Sequence, residues 1–262
     1  MANYYMGIDN GGSFCKAGIF DAQGNQIGSA AKKLEIINDL KFDLNHKNKD
    51  IKKDSIHYKI INKFKKDSFI YLVAGSTHEG EEKILLNVYK KIRKKYNNLK
   101  LIIAPRHIDR IEEIKNVANN LGIFSITKKS EIQDDSSDVI LLDSMGELSQ
   151  IYSLAQISFV GGTLIQKGGH NLVEAILYGS PVLFGPYLSN VKTTAQRLID
   201  AKIGFKINNE KELYNKIDSL LKNKRKLNKI KIKSEKFINE HRGAIEKNIK
   251  SIFTIGDFID DK

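Results

Sequence analysis

The stretch GGTLIQKGGHNLVEA, residues 161–175, combines two glycine pairs with a polar cluster, an order that is typical of an anion site. Glycine lets the backbone approach a neighbouring group closely, and glycine pairs occur here at 161–162 and 168–169. His170 and Asn171 follow directly, where an apolar helical pattern begins. A helix that begins at Asn171 presents unpaired N–H groups and the positive end of its dipole. These features predict a phosphate-binding site.

Other polar or glycine-rich segments occupy equivalent places, each directly after a predicted strand. They are Gly75-Ser76-Thr77-His78, Pro105-Arg106-His107 and Ser144-Met145-Gly146-Glu147. Any one of them alone is equally typical of a turn. Together with Gly161-Gly162 they indicate one shared crevice, because the carboxyl ends of parallel strands meet at the same edge of a sheet.

The elements that must position these residues alternate regularly from Phe69 onward. The pattern predicts strands over 69–76, 99–106, 123–129, 138–144, 156–162 and 181–186, and helices over 81–96, 111–122, 146–155, 171–179 and 191–202. Near-continuous apolar strands separated by helices are typical of a parallel sheet that is covered on both faces. The sequence therefore predicts a doubly wound, Rossmann-like α/β domain whose ligand binds at the carboxyl ends of the strands.

The amino-terminal part has a different pattern. Residues 1–32 alternate like a β-hairpin leader with its turn at 21–25, and residues 33–68 are predicted to be a connector with one helix near 55–65. The predicted domains are therefore the leader (1–32), the connector (33–68) and the α/β domain (69–262).

Composition excludes several classes of protein. The chain of 262 residues is 41% hydrophobic and 28% charged, and it has no apolar run of the roughly 18 residues that span a membrane. One cysteine, Cys15, fits a reducing compartment, and the start lacks a signal-peptide pattern. We therefore expect a cytoplasmic protein.

The net charge of +12 suggests an anionic partner, but the lysines are spread along the chain. Residues 222–236, KNKRKLNKIKIKSEK, form the one dense run, which is typical of a solvated helix face. Contact with an anionic membrane surface is the alternative. Nucleic acid is not expected as a partner, because no aromatic-interleaved or recognition-helix motif accompanies the run.

The segments AGSTHEGEE, LIIAPRH, DSMGELSQIYSLAQISFVGGTL and GGHNLVEA together closely resemble the carboxyl-terminal half of bacterial Kdo transferases. These glycosyltransferases move 3-deoxy-D-manno-octulosonic acid (Kdo) from CMP-Kdo onto lipid A precursor (lipid IVA) in lipopolysaccharide biosynthesis. The resemblance runs from about Leu34 nearly to the end of the chain. It implies that residues 69–262 are the carboxyl-terminal, donor-binding domain of a GT-B fold, at the cytoplasmic face of the inner membrane.

The resemblance also implies site residues. The positions that match the CMP-binding motifs are Pro105, Arg106, Met145, Gly146, Glu147, Asn171, Leu172, Val173 and Glu174. Further candidate donor contacts are Ser76, Thr77, His78, Gly161, Gly162, Gly169 and His170. Leu172 departs from the proline common in the family, a mild change because proline in a first helical turn only preorganises the backbone.

The chemistry of these residue types agrees with that assignment. CMP-Kdo carries a phosphodiester and a carboxylate, and Arg106 offers a permanently charged planar fork for such oxygens. Glu174 can accept hydrogen bonds from ribose hydroxyls, although a solvated helix carboxylate is the alternative. Glu147 is equally typical of an acidic residue in a first helical turn, and His78 and His170 of structural hydrogen-bonding residues.

No cofactor and no metal are expected, because nothing has convincing metal-ligand spacing. In the family the general base lies in the amino-terminal domain, which this sequence is expected to lack, so no catalytic residue is assigned. We therefore expect the chain to bind CMP-Kdo but to transfer Kdo negligibly alone. If transfer were found, Glu79, Glu81 and Glu82, which follow the predicted strand end at Gly75, would be the first candidates for the base.

Residues 3–29 are instead similar to the opening strand pair of FGGY-type carbohydrate kinases. Asp9, Gly11-Gly12 and Lys16 would there belong to a phosphate loop. No further kinase motif follows, so kinase activity is not expected. Two other functions remain open at this point: a GT-B transferase that uses another nucleotide sugar, such as a UDP derivative, and a catalytically silent nucleotide-sugar-binding remnant.

Overall fold

The computed structural model describes residues 5–11, 14–33, 69–132 and 137–243. By internal contacts the chain divides into two units: residues 1–46 with 241–262, and residues 47–240. The helix expected near 55–65, and all of the predicted connector except Lys33, lie outside the described residues. The domain boundaries drawn from the sequence stay predictions.

The first unit contains a three-stranded antiparallel sheet in the order β1-β2-β3. Its strands are β1 (Tyr5–Gly11), β2 (Phe14–Phe20) and β3 (Gln26–Lys33). Asp21 closes the turn between β2 and β3 by accepting the N–H groups of Gln23 and Asn25 at 3.0 and 2.8 Å. The hairpin predicted around this turn is confirmed, and β1 adds a third strand that the sequence reasoning did not separate from it.

The second unit is built on a seven-stranded sheet in which every neighbouring pair is parallel. Its strands are β4 (Ile70–Thr77), β5 (Leu99–Pro105), β6 (Ile126–Lys128), β7 (Val139–Leu141), β8 (Ile157–Val160), β9 (Val182–Phe184) and β10 (Gly204–Lys206). All six strands predicted for this region are confirmed, although most are shorter than predicted. The edge strand β10 was missed, because three residues are too few to show a period.

The helices that cover this sheet are α1 (Glu81–Arg93), α2 (Ile111–Asn120), α3 (Leu148–Ile151), α4 (Leu172–Ile176), α5 (Lys192–Asp200), α6 (Glu210–Leu221) and α7 (Lys224–His241). The predicted helices are confirmed, but α3 continues as a 3-10 turn over Tyr152–Leu154 and α4 ends at Ile176. The sequence reasoning gave residues 210–221 no element.

Helix α7 carries the dense lysine run as an exposed face. Its buried residues, Ile230, Ser234, Phe237 and Ile238, share the opposite face at helical spacing. No helix of the described part of the chain is long and apolar enough to cross a membrane.

The strand order β10-β9-β8-β4-β5-β7-β6 determines where a ligand can bind. The chain begins this sheet at β4 and places β5, β6 and β7 on one side, with β7 between β5 and β6. It then returns to add β8, β9 and β10 on the other side. In doubly wound sheets the crevice lies outside the carboxyl ends of the strands, where this order reverses. The predicted doubly wound fold is confirmed, and its reversal lies between β4 and β8.

The exits of β4 and β8 touch each other at Gly161. Its N–H donates to the Gly75 carbonyl at 2.8 Å. A Cβ atom at residue 161 would lie 2.3 Å from the Ser76 carbonyl oxygen and 2.6 Å from Thr77 Cα. Because both neighbours are backbone atoms, they cannot move aside as a flexible side chain could, and only glycine fits.

We expect Gly161→Ala to lower the free energy of unfolding by at least about 2 kcal/mol, because the added methyl group forces the exits of β4 and β8 apart. Urea unfolding followed by circular dichroism measures this change. Gly28→Ala, at a strand position where a Cβ meets no atom within 4 Å, is the control and should change stability by less than about 1 kcal/mol. Equal midpoints for the two variants would contradict the close approach.

Candidate functional site

A cavity of about 310 Å³ opens at the carboxyl ends of β4, β5 and β7. The residues on its wall that sequence reasoning proposed are Ser76, Pro105, Arg106, Met145, Gly146, His170, Asn171 and Glu174. The wall also contains Ala104, Leu142, Ser144, Leu148, Ser149 and Tyr152, which were not among the proposed site residues. Their apolar members follow a helical or strand period that is typical of ordinary core, so the sequence carried no separate signal for them.

The other proposed residues are not on this wall. They are Thr77, His78, Glu147, Gly161, Gly162, Gly169, Leu172 and Val173. Thr77, Leu172 and Val173 are fully buried, backbone and side chain alike, so they support the wall from behind.

Arg106 brings a permanent positive charge to the rim of the cavity. Its side chain is exposed, while its backbone N–H donates to the Thr77 carbonyl at 2.8 Å. This bond ties the end of β5 to the end of β4. The backbone of Arg106 is therefore fixed at the sheet edge, with His170 on the same wall.

The start of α4 is organised by Asn171 and Glu174. The Asn171 Oδ1 atom accepts the N–H of Val173 at 3.0 Å, and its Nδ2 donates to Glu174 Oε1 at 2.8 Å. The Val173 N–H is therefore already occupied, and a helix of five residues contributes little dipole. The expectation that the amides at the start of this helix bind an anion stays a prediction, with the Val173 N–H engaged by its cap.

Glu147 is held behind the wall by Lys129. The Lys129 Nζ lies 2.5 Å from Glu147 Oε2, both side chains are about one-tenth exposed, and Ser144 Oγ donates to the same carboxylate oxygen. The pair anchors the loop whose exposed members, Met145 and Gly146, form the wall. Lys129 was missed because no motif links it to a residue 18 positions along the chain.

A fully buried carboxylate, that of Glu81, holds the loops beneath the cavity. It accepts four backbone N–H groups, from His78 at 3.0 Å, Gly162 at 2.8 Å, Thr163 at 3.1 Å and Leu164 at 2.9 Å. Burial raises the pKa of this carboxyl, and the four donors act in the opposite direction by favouring the ionised form. Glu81 thereby fixes the exit of β4 relative to the glycine-containing loop after β8.

This arrangement also limits the substitute bases named from the sequence. Glu81 is 0% exposed and Glu82 is 2% exposed, with an ion pair from Glu82 to Arg110 at 3.0 Å. Glu79 is exposed. Of these three carboxylates, only that of Glu79 is therefore exposed enough to contact an acceptor substrate.

The glycine pairs serve the packing of the loops. The Gly169 N–H donates to the Gly162 carbonyl at 2.8 Å, so the two pairs meet. Gly162 has a positive φ of 69°, and a Cβ there would lie 3.1 Å from the His170 ring. The pairs are therefore explained by contacts between loops, and Gly162 allows His170 to lie close to the backbone.

A histidine pair lies at the end of β4. His78 Nε2 and His170 Nε2 are 2.8 Å apart, and the two ring planes are nearly parallel, 9° apart, with centroids at 5.1 Å. His107 packs edge-on against His78 at 5.8 Å. Burial and neighbouring positive charges lower the pKa of His78 to about 4, and burial followed by Arg106 and His107 lowers the pKa of His170.

The side chains near the cavity can also be compared with what a metal site requires. Within the described ranges no group of three or more histidine, cysteine, aspartate or glutamate side chains is suited to hold a metal ion. The expectation that no metal is needed stays a prediction.

Comparison with known proteins places this geometry in a family. The family model of glycosyl transferases group 1 matches residues 54–237. A 3-deoxy-D-manno-octulosonic acid transferase from Aquifex aeolicus is 40% identical over 157 residues, covering 60% of this chain and 43% of that protein. A bifunctional glycosyltransferase/methyltransferase from Fusobacterium nucleatum is 38% identical over 201 residues, covering 74% of this chain and 30% of that protein.

A solved structure gives the same result for the fold. The C-terminal CMP-Kdo binding domain of WaaA from Acinetobacter baumannii superposes with a TM-score of 0.63 at 26% identity, covering 69% of this chain and 94% of that domain. The chain spans less than half the length of the two curated relatives.

We expect Glu81→Gln to lower the free energy of unfolding by about 2–4 kcal/mol, because the new NH₂ group faces backbone N–H donors that then lose their acceptor. Urea unfolding measures the loss, and hydrogen exchange should show faster exchange of the Gly162 and Leu164 amides. Glu79→Gln, an exposed neighbour, is the matched control and should stay within about 0.5 kcal/mol. Unchanged protection of both amides in Glu81→Gln would contradict the anchoring role.

Proposed function

Because the chain belongs to the glycosyl transferases group 1 family, we propose that its α/β unit is the donor-binding half of a Kdo transferase. The observation that carries the proposal is the cavity at the reversal of the strand order, which has Arg106, His170, Asn171 and Glu174 on one wall. A nucleotide sugar binds at this place in doubly wound sheets. The similarity to Kdo transferases supports CMP-Kdo as that donor.

The charges around the cavity suit an anionic donor. CMP-Kdo has a phosphodiester and a sugar carboxylate, and both remain ionised at neutral pH. Arg106 offers two parallel N–H groups to such oxygens. Asn171 orients Glu174, whose carboxylate would accept hydrogen bonds from the ribose hydroxyls. The cavity of about 310 Å³ lies within the range of ligand pockets, about 300–1,000 Å³, and its donors need no metal to bind phosphate.

These residues would contribute to transfer by holding the leaving group. When the bond from Kdo to the phosphate oxygen breaks, its electron pair goes to the phosphate, and Arg106 stabilises that added charge. The proposed acceptor is lipid A precursor, bound by an amino-terminal domain that also supplies the general base. The proposed location is the cytoplasmic face of the inner membrane, where the basic face of α7 would favour anionic lipid.

We expect Arg106→Ala to weaken the binding of CMP by about 10- to 150-fold, because a charged hydrogen bond of about 1.5–3 kcal/mol is lost. Titration calorimetry measures the affinity. Lys83→Ala removes the same charge from the exposed face of α1, away from the cavity wall, and should leave the affinity within about twofold. Equal affinities for wild type and a folded Arg106→Ala variant would remove Arg106 from the site.

A second prediction separates the proposed donor from other nucleotide sugars. Cytosine has an amino donor where uracil has a carbonyl acceptor, so a site built for one base leaves a polar group unpaired with the other. We expect CMP to bind about 5- to 150-fold more tightly than UMP, at a cost of about 1–3 kcal/mol. Tighter binding of UMP or UDP would favour a different nucleotide-sugar transferase. If CMP binds but this chain, fused to the acceptor domain of an active Kdo transferase, transfers no radiolabelled Kdo, the silent remnant is favoured.

A further inference from the structure

We propose that His78 and His170 form a single-proton acceptor that is loaded when the anionic group of the donor enters the cavity, so that donor binding takes up one proton. His170 is on the cavity wall, and His78 lies directly behind it. The identity of the donor rests on the proposed function. The proton uptake rests on the geometry of the pair.

The contact between the rings limits how many protons the pair can hold. A hydrogen bond between two Nε2 atoms at 2.8 Å needs a hydrogen on one of them and a lone pair on the other. The donating ring can bind one more proton at its Nδ1 atom while the contact remains. A further proton on the accepting Nε2 would set two N–H groups against each other. The pair therefore accepts one proton and resists a second.

The surroundings keep the pair neutral while the cavity holds no anion. The charged and titratable groups that face it are His107, Arg106, Arg110 with its partner Glu82, Lys167 and Glu81. Arg106, Arg110 and Lys167 are cationic, and Glu81 already accepts four backbone N–H groups. Burial and these positive charges lower the pKa of His78 to about 4, so an added proton is repelled near neutral pH.

An anion reverses this balance. A phosphate between Arg106 and His170 neutralises part of the repulsion and attracts an imidazolium, which raises a histidine pKa by about 1–3 units. The pair then binds a proton at any pH between its pKa in the free protein and its higher pKa in the complex. By linkage, affinity increases as pH falls through that interval, by at most about tenfold per pH unit. The resulting cation also favours the charge that CMP gains on departure.

Calorimetry with cytidine 5′-methylphosphate tests the proton uptake. Its phosphodiester is ionised at every pH used, and the cytosine N3 atom, the one group of the ligand that titrates nearby, is mostly neutral at about pH 5.5 and contributes equally in the wild-type protein and the variants below. We expect titrations in two buffers of different ionisation enthalpy to give an uptake of about 0.2 to 0.9 proton per ligand at about pH 5.5, and at most about 0.1 at about pH 8. Binding without uptake at the lower pH would overturn the inference and leave the proposed function standing.

Variants assign the proton to the pair. The double variant His78→Gln/His170→Gln should reduce the uptake at about pH 5.5 to below about 0.1 proton, because no imidazole of the pair remains to bind it. His107→Gln removes a neighbouring ring that packs edge-on against His78, and it should retain the uptake. Uptake that survives in the double variant, or that disappears in His107→Gln, overturns the assignment.

Sulfate separates the two proposals. If the folded protein binds no cytidine methylphosphate, the proposed function fails, and sulfate, which is ionised at every pH used, becomes the probe. The imidazole ¹⁵N shifts of His78 and His170 in the wild-type protein then report the proton directly. Sulfate that protonates the pair supports the inference without the nucleotide. Sulfate that binds and leaves both rings neutral at about pH 5.5, or no response of either ring to sulfate, overturns it.

Discussion

The buried carboxylate of Glu81 is the interaction on which the rest of the site depends. Its four N–H donors come from two strand exits that lie far apart in sequence, at His78 and at residues 162–164. Without an acceptor these backbone groups would be buried and unpaired, which costs more free energy than most single contacts provide. One ionisable side chain therefore holds together the edge of the sheet where the cavity opens.

The same edge brings cationic side chains together. Arg106 is on the cavity wall with the neutral His170, and Lys167 and Arg110 stand near His78 behind it. Arg110 is balanced by Glu82 and Glu113, while Glu81 and Glu147 are engaged by backbone donors and by Lys129. The carboxylates near the cavity thus mainly support loops, and the field that a ligand meets there is positive.

Some residues named from motifs also hold the loops that line the cavity. Glu147 holds Lys129 and anchors its own loop, and the glycine pairs meet where Gly162 contacts Gly169 and His170. In both cases a residue type common in binding sites supports the neighbours that line the cavity. Contact of these residues with a donor stays a prediction, whereas their contacts with neighbouring loops follow from the packing.

Alternating strands and helices determined the doubly wound fold from the sequence alone, because hydrophobic periodicity reports which faces are buried. The polar segments after the strands likewise predicted the edge where the cavity lies, and the resemblance to Kdo transferases named Arg106, Asn171 and Glu174 there. The sequence could not show the strand β10, the partner Lys129, the four donors of Glu81 or the contact between His78 and His170. The strand is too short to show a hydrophobic period, and each of the contacts joins residues that are far apart in the sequence and linked by no regular spacing. Only the tertiary structure brings such residues within hydrogen-bonding distance, and it thereby decides which polar groups are occupied and which face the cavity.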